Sequence, residues 1–268
     1  MAASQLLILS DPTDMNPDTE VAIRAHAIAE YPRECCGLIV LEAGVEVYVP
    51  CRNVATGKKN GRDIRQEQFR LAQEDYFAAA DRGDVLALVH SHPDEPARPT
   101  QGDRVCCEES QIPWYIVRVD GTEGEIVTRE IESLAPCGYQ APLIGREFYH
   151  GVLDCYALIR DWFQIERGIV IPDFARRDNW WADGSGDDLY MTQFRKAGFV
   201  QVDLEDLQVG DCFIMQVRAK VANHAAVYIG NNMILHHLYG RPSRRDVYGV
   251  GGYWHEVTRL VVRYSGQG

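Results

Sequence analysis

Two histidines and an aspartate occur at a spacing that suits a bound metal ion. His90 and His92 follow an apolar run, residues 85–89, that predicts a β-strand. Residues two apart on a strand point to the same face, so both imidazoles can reach one ion. Thr100 is the predicted N-cap of the next helix, which puts Asp103 in the first helical turn as a third ligand.

Two histidines and one carboxylate leave a fourth coordination position open, which is typical of catalytic rather than structural zinc. Such a site also needs a general base, and the candidate is Glu34, just before the strand predicted from Gly37. A His-x-His pair is also common in surface loops, and Asp103 alone would suit a helix N-terminus. The residues therefore predict a zinc site, with surface histidines as the alternative.

A cysteine and two further histidines form a second candidate site. Cys155 follows Asp154 at the start of an amphipathic stretch, 154–164, that predicts a helix. A helix N-terminus favours the thiolate, so we expect a nucleophile with a lowered pKa here. His224 and His236 lie on successive predicted strands, and a cysteine, a base and an orienting residue make a thiol peptidase. A buried, unreactive cysteine is the alternative.

The elements that position these residues fall into two groups. The first has predicted helices over 18–30 and 66–80 and strands over 37–41, 45–49, 85–89, 114–119 and 125–131. The second has a helix over 154–164, an aromatic loop over 171–187, and strands over 213–217, 225–229, 233–238 and 259–264. Residues 133–147 between them are rich in proline and glycine and show no periodicity, which is typical of a domain boundary. The sequence predicts an α/β (α+β) fold with two domains, 1–135 and 140–268.

The stretch from His90 to Asp103 resembles the signature of the JAMM (MPN+) zinc metallopeptidases, His-x-His-Pro followed after six residues by Ser-x-x-Asp. That family also carries a glutamate before a strand, which Glu34 matches. The resemblance implies a JAMM/MPN-like α/β domain in which His90, His92 and Asp103 bind Zn2+ and Glu34 moves the proton. Thr100 stands where the family has serine, and the resemblance implies a role for its hydroxyl at the oxyanion.

The second group of residues is similar to the NlpC/P60 cysteine peptidases. The similarity rests on the string from Tyr149 to Cys155, on His224-Ala-Ala-Val-Tyr-Ile-Gly, and on His236 twelve residues later. It implies a papain-like α+β domain that cleaves peptidoglycan stem peptides. In that family's scheme Cys155 is the nucleophile, His224 the general base, His236 its orienter and Tyr149 a helper at the oxyanion.

Composition and charge limit the partners. The 268 residues include 27 Lys and Arg against 39 Asp and Glu, a net charge of −12, which disfavours nucleic acid as a partner. The apolar stretch near the N-terminus, residues 6–9, is short and lacks the basic flank of a signal peptide. No window approaches the ~20 apolar residues of a membrane span. We therefore expect folding in a cytosol and no membrane span.

A JAMM module followed by an NlpC/P60 module resembles the tail tip assembly proteins of lambda-like tailed bacteriophages. The resemblance implies a two-site peptidase whose partners are phage tail tip proteins and whose cysteine site cuts the peptidoglycan stem peptide. The expected location is the host cytoplasm during assembly, or the virion tail tip. One alternative is an assembly factor whose peptidase sites only mature another tail protein or are vestigial. Another is an intracellular deubiquitinase-like isopeptidase, which the zinc module alone would suggest.

Overall fold

The computed structural model describes residues 15–59, 61–122, 124–177, 179–182, 184–185 and 187–266. The N-terminal stretch 6–9 lies outside them. The chain divides into two compact units, Met1–Gln140 and Ala141–Gly268. In the described part of the chain, no helix is both long enough and apolar enough to cross a bilayer.

The first unit is a five-stranded sheet with helices on both faces. Its elements are α1 (Pro17–Glu30), β1 (Cys36–Glu42), β2 (Val45–Cys51), β3 (Lys58–Lys59), β4 (Arg62–Asp63), α2 (Gln73–Ala80), β5 (Asp84–Pro93), α3 (Gln101–Ser110), β6 (Trp114–Thr122) and β7 (Glu125–Leu134). The sheet order is β2-β1-β5-β6-β7, in which only the β5–β6 pair is parallel. A parallel pair needs a crossover connection, and α3 provides it. The carboxyl end of β5 therefore leads into the start of α3.

The two faces of this sheet have separate apolar cores. Ile23 and Ala27 of α1 pack on one face against Ile39, Val89 and Val117. The opposite face buries another cluster, made of Cys36, Leu38, Val40, Cys51, Ala79, Leu88, Cys107 and Trp114. Because both faces are covered, strands β1 and β5, in the interior of the sheet, carry nearly continuous apolar runs.

One predicted helix is shorter in the structure. The sequence predicts a helix over 66–80, but α2 begins at Gln73. The side chain of Asn53 holds the preceding residues in an extended segment: its Nδ2 donates to the Gln68 carbonyl at 3.0 Å, and its Oδ1 accepts from the Arg70 N–H at 3.1 Å. These bonds replace the backbone ladder that a helix would need there.

The second unit is a six-stranded antiparallel sheet. Its elements are α4 (Cys155–Arg167), α5 (Leu189–Gln193), β8 (Phe199–Val202), β9 (Cys212–Met215), β10 (His224–Gly230), β11 (Met233–His236), β12 (Arg244–Val247), α6 (Tyr253–Val257) and β13 (Thr258–Tyr264). The sheet order is β12-β11-β10-β9-β13-β8. Helix α4 packs on one face through Leu158, Ile159 and Trp162, and Trp254 of α6 belongs to the cluster on the other face.

Two short strands of this unit, β8 and β12, are not predicted by the sequence pattern, and β11 ends two residues earlier than predicted. The mixed helix and sheet architecture with two domains, expected from the sequence, is confirmed.

Candidate functional site

The three predicted metal ligands of the first unit meet in one buried cluster. The Nε2 atoms of His90 and His92, at the end of β5, lie 3.1 Å apart. Asp103, in the first turn of α3, places Oδ1 3.3 Å from His90 Nε2 and Oδ2 3.5 Å from His92 Nε2. Ligands about 2.0–2.1 Å from a tetrahedral zinc ion lie about 3.3–3.4 Å from one another. The spacing of these nitrogen and oxygen atoms therefore fits a zinc ion.

Local structure orients each ligand of this cluster. Thr100 caps α3 in a capping box: its Oγ1 accepts from the Asp103 N–H at 3.1 Å and donates to Asp103 Oδ2 at 2.7 Å. His92 Nδ1 is 2.7 Å from the Pro96 carbonyl oxygen, so Nδ1 carries the hydrogen and Nε2 presents a lone pair. The ring of His90 stacks on Phe69 with centroids 4.7 Å apart. Thr100 thus positions a ligand, and its role at the oxyanion stays a prediction.

Glu34 lies buried beside these ligands, two residues before the start of β1. Its backbone N–H donates to the Arg65 carbonyl at 2.6 Å, and its carbonyl oxygen accepts from Asn53 Nδ2 at 3.1 Å. Burial raises the pKa of Glu34 to about 8, while the neighbouring His92 acts to lower it. A carboxyl group with a pKa near neutrality can both take up and release a proton, as a general base must.

The pKa of Asp103 is shifted in the opposite direction to that of Glu34. Burial alone would raise its pKa, but the adjacent His90 and His92 hold the pKa well below its usual range. Two carboxyl groups in one pocket therefore differ in protonation. Asp103 stays ionised, as a cation ligand must, and Glu34 is able to carry a proton.

Cys155 opens α4 as the sequence predicts. Asp154 is the N-cap, and its Oδ1 accepts from the N–H groups of Tyr156 and Ala157 at 3.0 and 2.9 Å. The second carboxylate oxygen pairs with Arg176 Nε at 2.7 Å. The cap and this ion pair fix the position of the cysteine at the start of the helix.

The thiol itself is buried and faces a tyrosine. Cys155 Sγ lies 3.1 Å from the hydroxyl oxygen of Tyr190, on α5, and the backbone of Ala225 is close enough to act on the pKa of the thiol. Burial raises the pKa of Cys155 to about 11, and the negative charge of Asp154 adds to the effect. The lowered pKa expected for a helix N-terminus is therefore wrong for this structure, because desolvation outweighs the helix dipole.

The predicted base and its orienter form a relay that ends in an acid. His224 Nε2 is 3.1 Å from His236 Nδ1, and His236 Nε2 is 3.1 Å from Asp246 Oδ2. Burial lowers the pKa of His224 well below its usual value, and His236 and His237 lower it further. At neutral pH both His224 and a thiol with the pKa of Cys155 are uncharged in this structure.

The structure brings Cys155 to the start of β10, because Ala225, whose backbone acts on the pKa of the thiol, follows His224 directly. Within the described residues, a hydrogen bond between the Cys155 thiol and the His224 ring is not formed. The hydroxyl of Tyr149 donates to Glu147 Oε2 at 3.1 Å, and its role at the oxyanion stays a prediction.

Two residues of this site, Asp246 and Tyr190, are not predicted from the sequence. Asp246 lies on β12, a strand that the sequence pattern does not reveal, and Tyr190 follows a loop with no period. Their only sequence signals are a lone acid beside two arginines and a tyrosine after an aromatic stretch.

Comparisons with known proteins match a family to each unit. Residues 17–132 match the family of prokaryotic homologs of the JAB domain, and residues 145–263 match the NlpC/P60 family. Tail tip assembly protein K of Escherichia phage N15 is 41% identical over 251 residues, which cover 94% of this chain and 96% of that protein. The protein of the same name from Escherichia phage lambda is 36% identical over 194 residues, covering 72% of this chain and 89% of that protein. The chain belongs to the tail tip assembly protein K family.

Membership in the tail tip assembly protein K family confirms the resemblance drawn from the order of the two modules. A solved NLP/P60 family structure from Staphylococcus aureus superposes weakly, with a TM-score of 0.32 and 19% identity over 45% of this chain and 37% of that chain.

Proposed function

We propose that this protein acts in phage tail assembly and carries two hydrolase sites, a thiol peptidase in the second unit and a zinc peptidase in the first. The names of the N15 and lambda relatives support the tail role, and the two matched families support the hydrolase role. It assembles in the host cytoplasm, and the tail tip brings the thiol site to the cell wall. Its partners are other tail tip proteins.

The observation that supports a thiol peptidase is the hydrogen-bonded relay of His224, His236 and Asp246 in the unit whose capped helix begins at Cys155. The thiol turns from Tyr190 toward His224 and gives its proton to the His224 ring. The Cys155 Sγ then attacks the peptide carbonyl carbon. His224 then protonates the leaving amine, and a water molecule hydrolyses the acyl-thioester to restore the thiol. The substrate proposed for this site is the peptidoglycan stem peptide, in line with the NlpC/P60 family.

In the first unit, the residues that would hold zinc are His90, His92 and Asp103. A bound zinc ion supplies Lewis-acid polarisation of the bond to be cut. Glu34 supplies the proton transfer, because its raised pKa lets it exchange a proton near neutral pH. Thr100 keeps the Asp103 carboxylate turned toward the histidines. The proposed substrate is a peptide or isopeptide bond.

A digest of purified peptidoglycan tests the assignment of the thiol site. The wild-type protein should release cleaved stem peptides, identified by mass, and Cys155→Ala should release none. Cys212→Ala is the matched control, because Cys212 is another buried cysteine of the same unit. Glu34→Gln should leave this cleavage intact. Equal activity of wild type and Cys155→Ala would exclude the proposed nucleophile.

A second candidate function is the maturation of another tail protein. It is favoured by a pocket beside the thiol that is lined mostly by apolar residues, among them Tyr156, Phe174, Trp180 and Phe194. Tyr190 and Ala225, which contact Cys155, also line it. An apolar pocket suits an apolar side chain of a protein substrate. Tails assembled with Cys155→Ala would then contain an uncut tail protein, visible by mass spectrometry.

A further inference from the structure

Three hydrogen-bonding groups form a row that begins with the proposed base. His224 is on β10, His236 on β11 and Asp246 on β12, so neighbouring strands of one sheet carry successive members. The two links, His224 Nε2 to His236 Nδ1 and His236 Nε2 to Asp246 Oδ2, are each 3.1 Å long. Both rings are buried, and Trp254 packs edge-on against His236 at a centroid distance of 4.5 Å. The rings therefore have little freedom to find other partners.

A neutral imidazole carries one hydrogen, on either Nδ1 or Nε2, and its partners decide which. Burial lowers the pKa of both His224 and His236, so both rings are neutral at pH 7. Asp246 is ionised, because Arg244 and His236 hold its pKa below the usual value against the effect of burial. An ionised carboxylate only accepts, so His236 must place its hydrogen on Nε2 and leave Nδ1 as an acceptor.

The tautomer of His236 determines the tautomer of His224. Since His236 Nδ1 is an acceptor, His224 must place its hydrogen on Nε2 to complete the 3.1 Å bond. The Nδ1 of His224 is then unprotonated and able to take a proton. When His224 becomes charged, its Nε2–H already has an acceptor. The carboxylate of Asp246, two hydrogen bonds away along the relay, thus fixes which nitrogen of the base can accept a proton.

We propose that Asp246 is a positioning residue that fixes His236 as the Nε2–H tautomer and thereby holds His224 with Nδ1 free to accept the Cys155 proton. The proposal rests on the thiol peptidase function proposed above. Asp246 acts through His236 and not on the thiol itself, because its carboxylate bonds to His236 and Arg244. The charged or titratable groups that face the relay are Arg244, which pairs with Asp246 Oδ2 at 2.7 Å, and His237, which acts on His224.

The first experiment reads the tautomers directly and needs no substrate. Nitrogen-15 NMR of histidine-labelled full-length protein at pH 7 distinguishes Nδ1–H from Nε2–H rings, and the loss of a signal in His236→Asn assigns His236. The proposal expects the Nε2–H form for both His224 and His236. In Asp246→Ala, His236 should lose this single tautomer. An Nδ1–H form of His236 in the wild type overturns the proposal.

The second experiment compares Asp246→Asn in two backgrounds, with kcat, KM and the pH profile measured on the substrate established for the site. In the wild-type background we expect kcat to fall at least tenfold with little change in KM, as for outer-shell partners of histidine ligands. In the His236→Asn background, the orienter is an amide that has no tautomers, so Asp246→Asn should change kcat less than twofold. Asp203→Asn, which removes an exposed charge of the same unit, should change nothing.

The outcomes separate three cases. An equal loss from Asp246→Asn in both backgrounds means a purely structural role and overturns the proposal, as does an unchanged kcat in the wild-type background. If the wild-type protein cleaves no substrate, the proposed function fails. The NMR measurement still decides on Asp246 in that case.

Discussion

The buried pair of Asp154 and Arg176 gives the sharpest prediction for stability. The Asp154 carboxylate accepts three backbone N–H bonds, from Gly151, Tyr156 and Ala157, in addition to its ion pair with Arg176. The side chains of Arg176 and Asp154 are only 7% and 3% exposed. Solvent screening therefore weakens this pair little, in contrast to a surface salt bridge.

The expected cost of Asp154→Ala follows from these contacts. Breaking a buried pair by removing one partner costs about 3–5 kcal/mol, and loss of an N-cap costs about 0.5–2 kcal/mol. Arg176 keeps a second partner, Asp173, at 2.6 Å, which favours the lower end of the first range. We expect Asp154→Ala to lower the free energy of unfolding by about 4 kcal/mol. Asp154→Asn should cost about 2 kcal/mol, because the amide oxygen still accepts from the helix N–H groups.

Urea unfolding followed by tryptophan fluorescence measures this loss. Four of the five tryptophans, at positions 162, 180, 181 and 254, belong to the second unit, so the signal reports mainly on it. Asp203→Ala, at an exposed aspartate, is the control and should cost less than about 0.5 kcal/mol. A loss below about 1 kcal/mol for Asp154→Ala would refute the estimate for the buried pair.

The pH dependence of the same difference gives a second check. Burial alone would raise the pKa of Asp154, but Arg176 and the helix N–H groups hold it below the ordinary value. A carboxyl group with a lowered folded pKa stabilises the fold above its unfolded pKa of about 3.9, and the contribution disappears as the pH falls through the folded pKa. The gap between wild type and Asp154→Ala should therefore be constant from pH 5 to 8. A gap that changes within this window contradicts the assignment.

Three further predictions follow from the two sites. The purified protein should carry about one zinc ion per chain by elemental analysis; His92→Ala should lose it and Glu34→Gln should keep it, and loss in both would remove Glu34 from its role as base. Thr100→Val should cost about 1 kcal/mol in urea unfolding and weaken zinc retention, while Thr100→Ser should do neither, because the cap needs only the hydroxyl. Iodoacetamide at pH 7 should label the exposed Cys137 before Cys155, and the rate at Cys155 should rise steadily up to pH 10, because burial raises its pKa to about 11. Preferential labelling of Cys155 at pH 7 would show a thiolate paired with His224 instead.

The parts of the two sites that follow from the sequence depend on local rules. The alternation of side chains on a strand brings His90 and His92 together, and a capping box fixes Asp103 one turn into the next helix. Both rules act within a few residues, so they survive folding unchanged. The same is true of Cys155 after its N-cap Asp154.

The parts that the sequence does not reveal depend on contacts between distant segments. Asp246 reaches the relay only because β12 pairs with β11, and β12 has no hydrophobic alternation to predict it. The raised pKa of Cys155 depends on burial in the folded unit, where Tyr190, 35 residues away along the chain, contacts its thiol. Likewise, Asn53 prevents the first part of the predicted helix over 66–80 from forming. In each case tertiary contact overrides a local preference.

Both sites use the same local arrangement, in which a capped helix start faces a strand that carries histidine. In the first unit the cap is the neutral Thr100, and the group beside it is the carboxylate of Asp103, a candidate metal ligand. In the second unit the cap is the charged Asp154, which raises the pKa of the adjacent Cys155 thiol and so works against a nucleophile. Arg176 offsets that charge at 2.7 Å, and its effect on Cys155 is to lower the pKa. The ion pair would therefore serve the proposed thiol chemistry as well as the fold, since a charged cap without Arg176 would leave the thiol still harder to ionise.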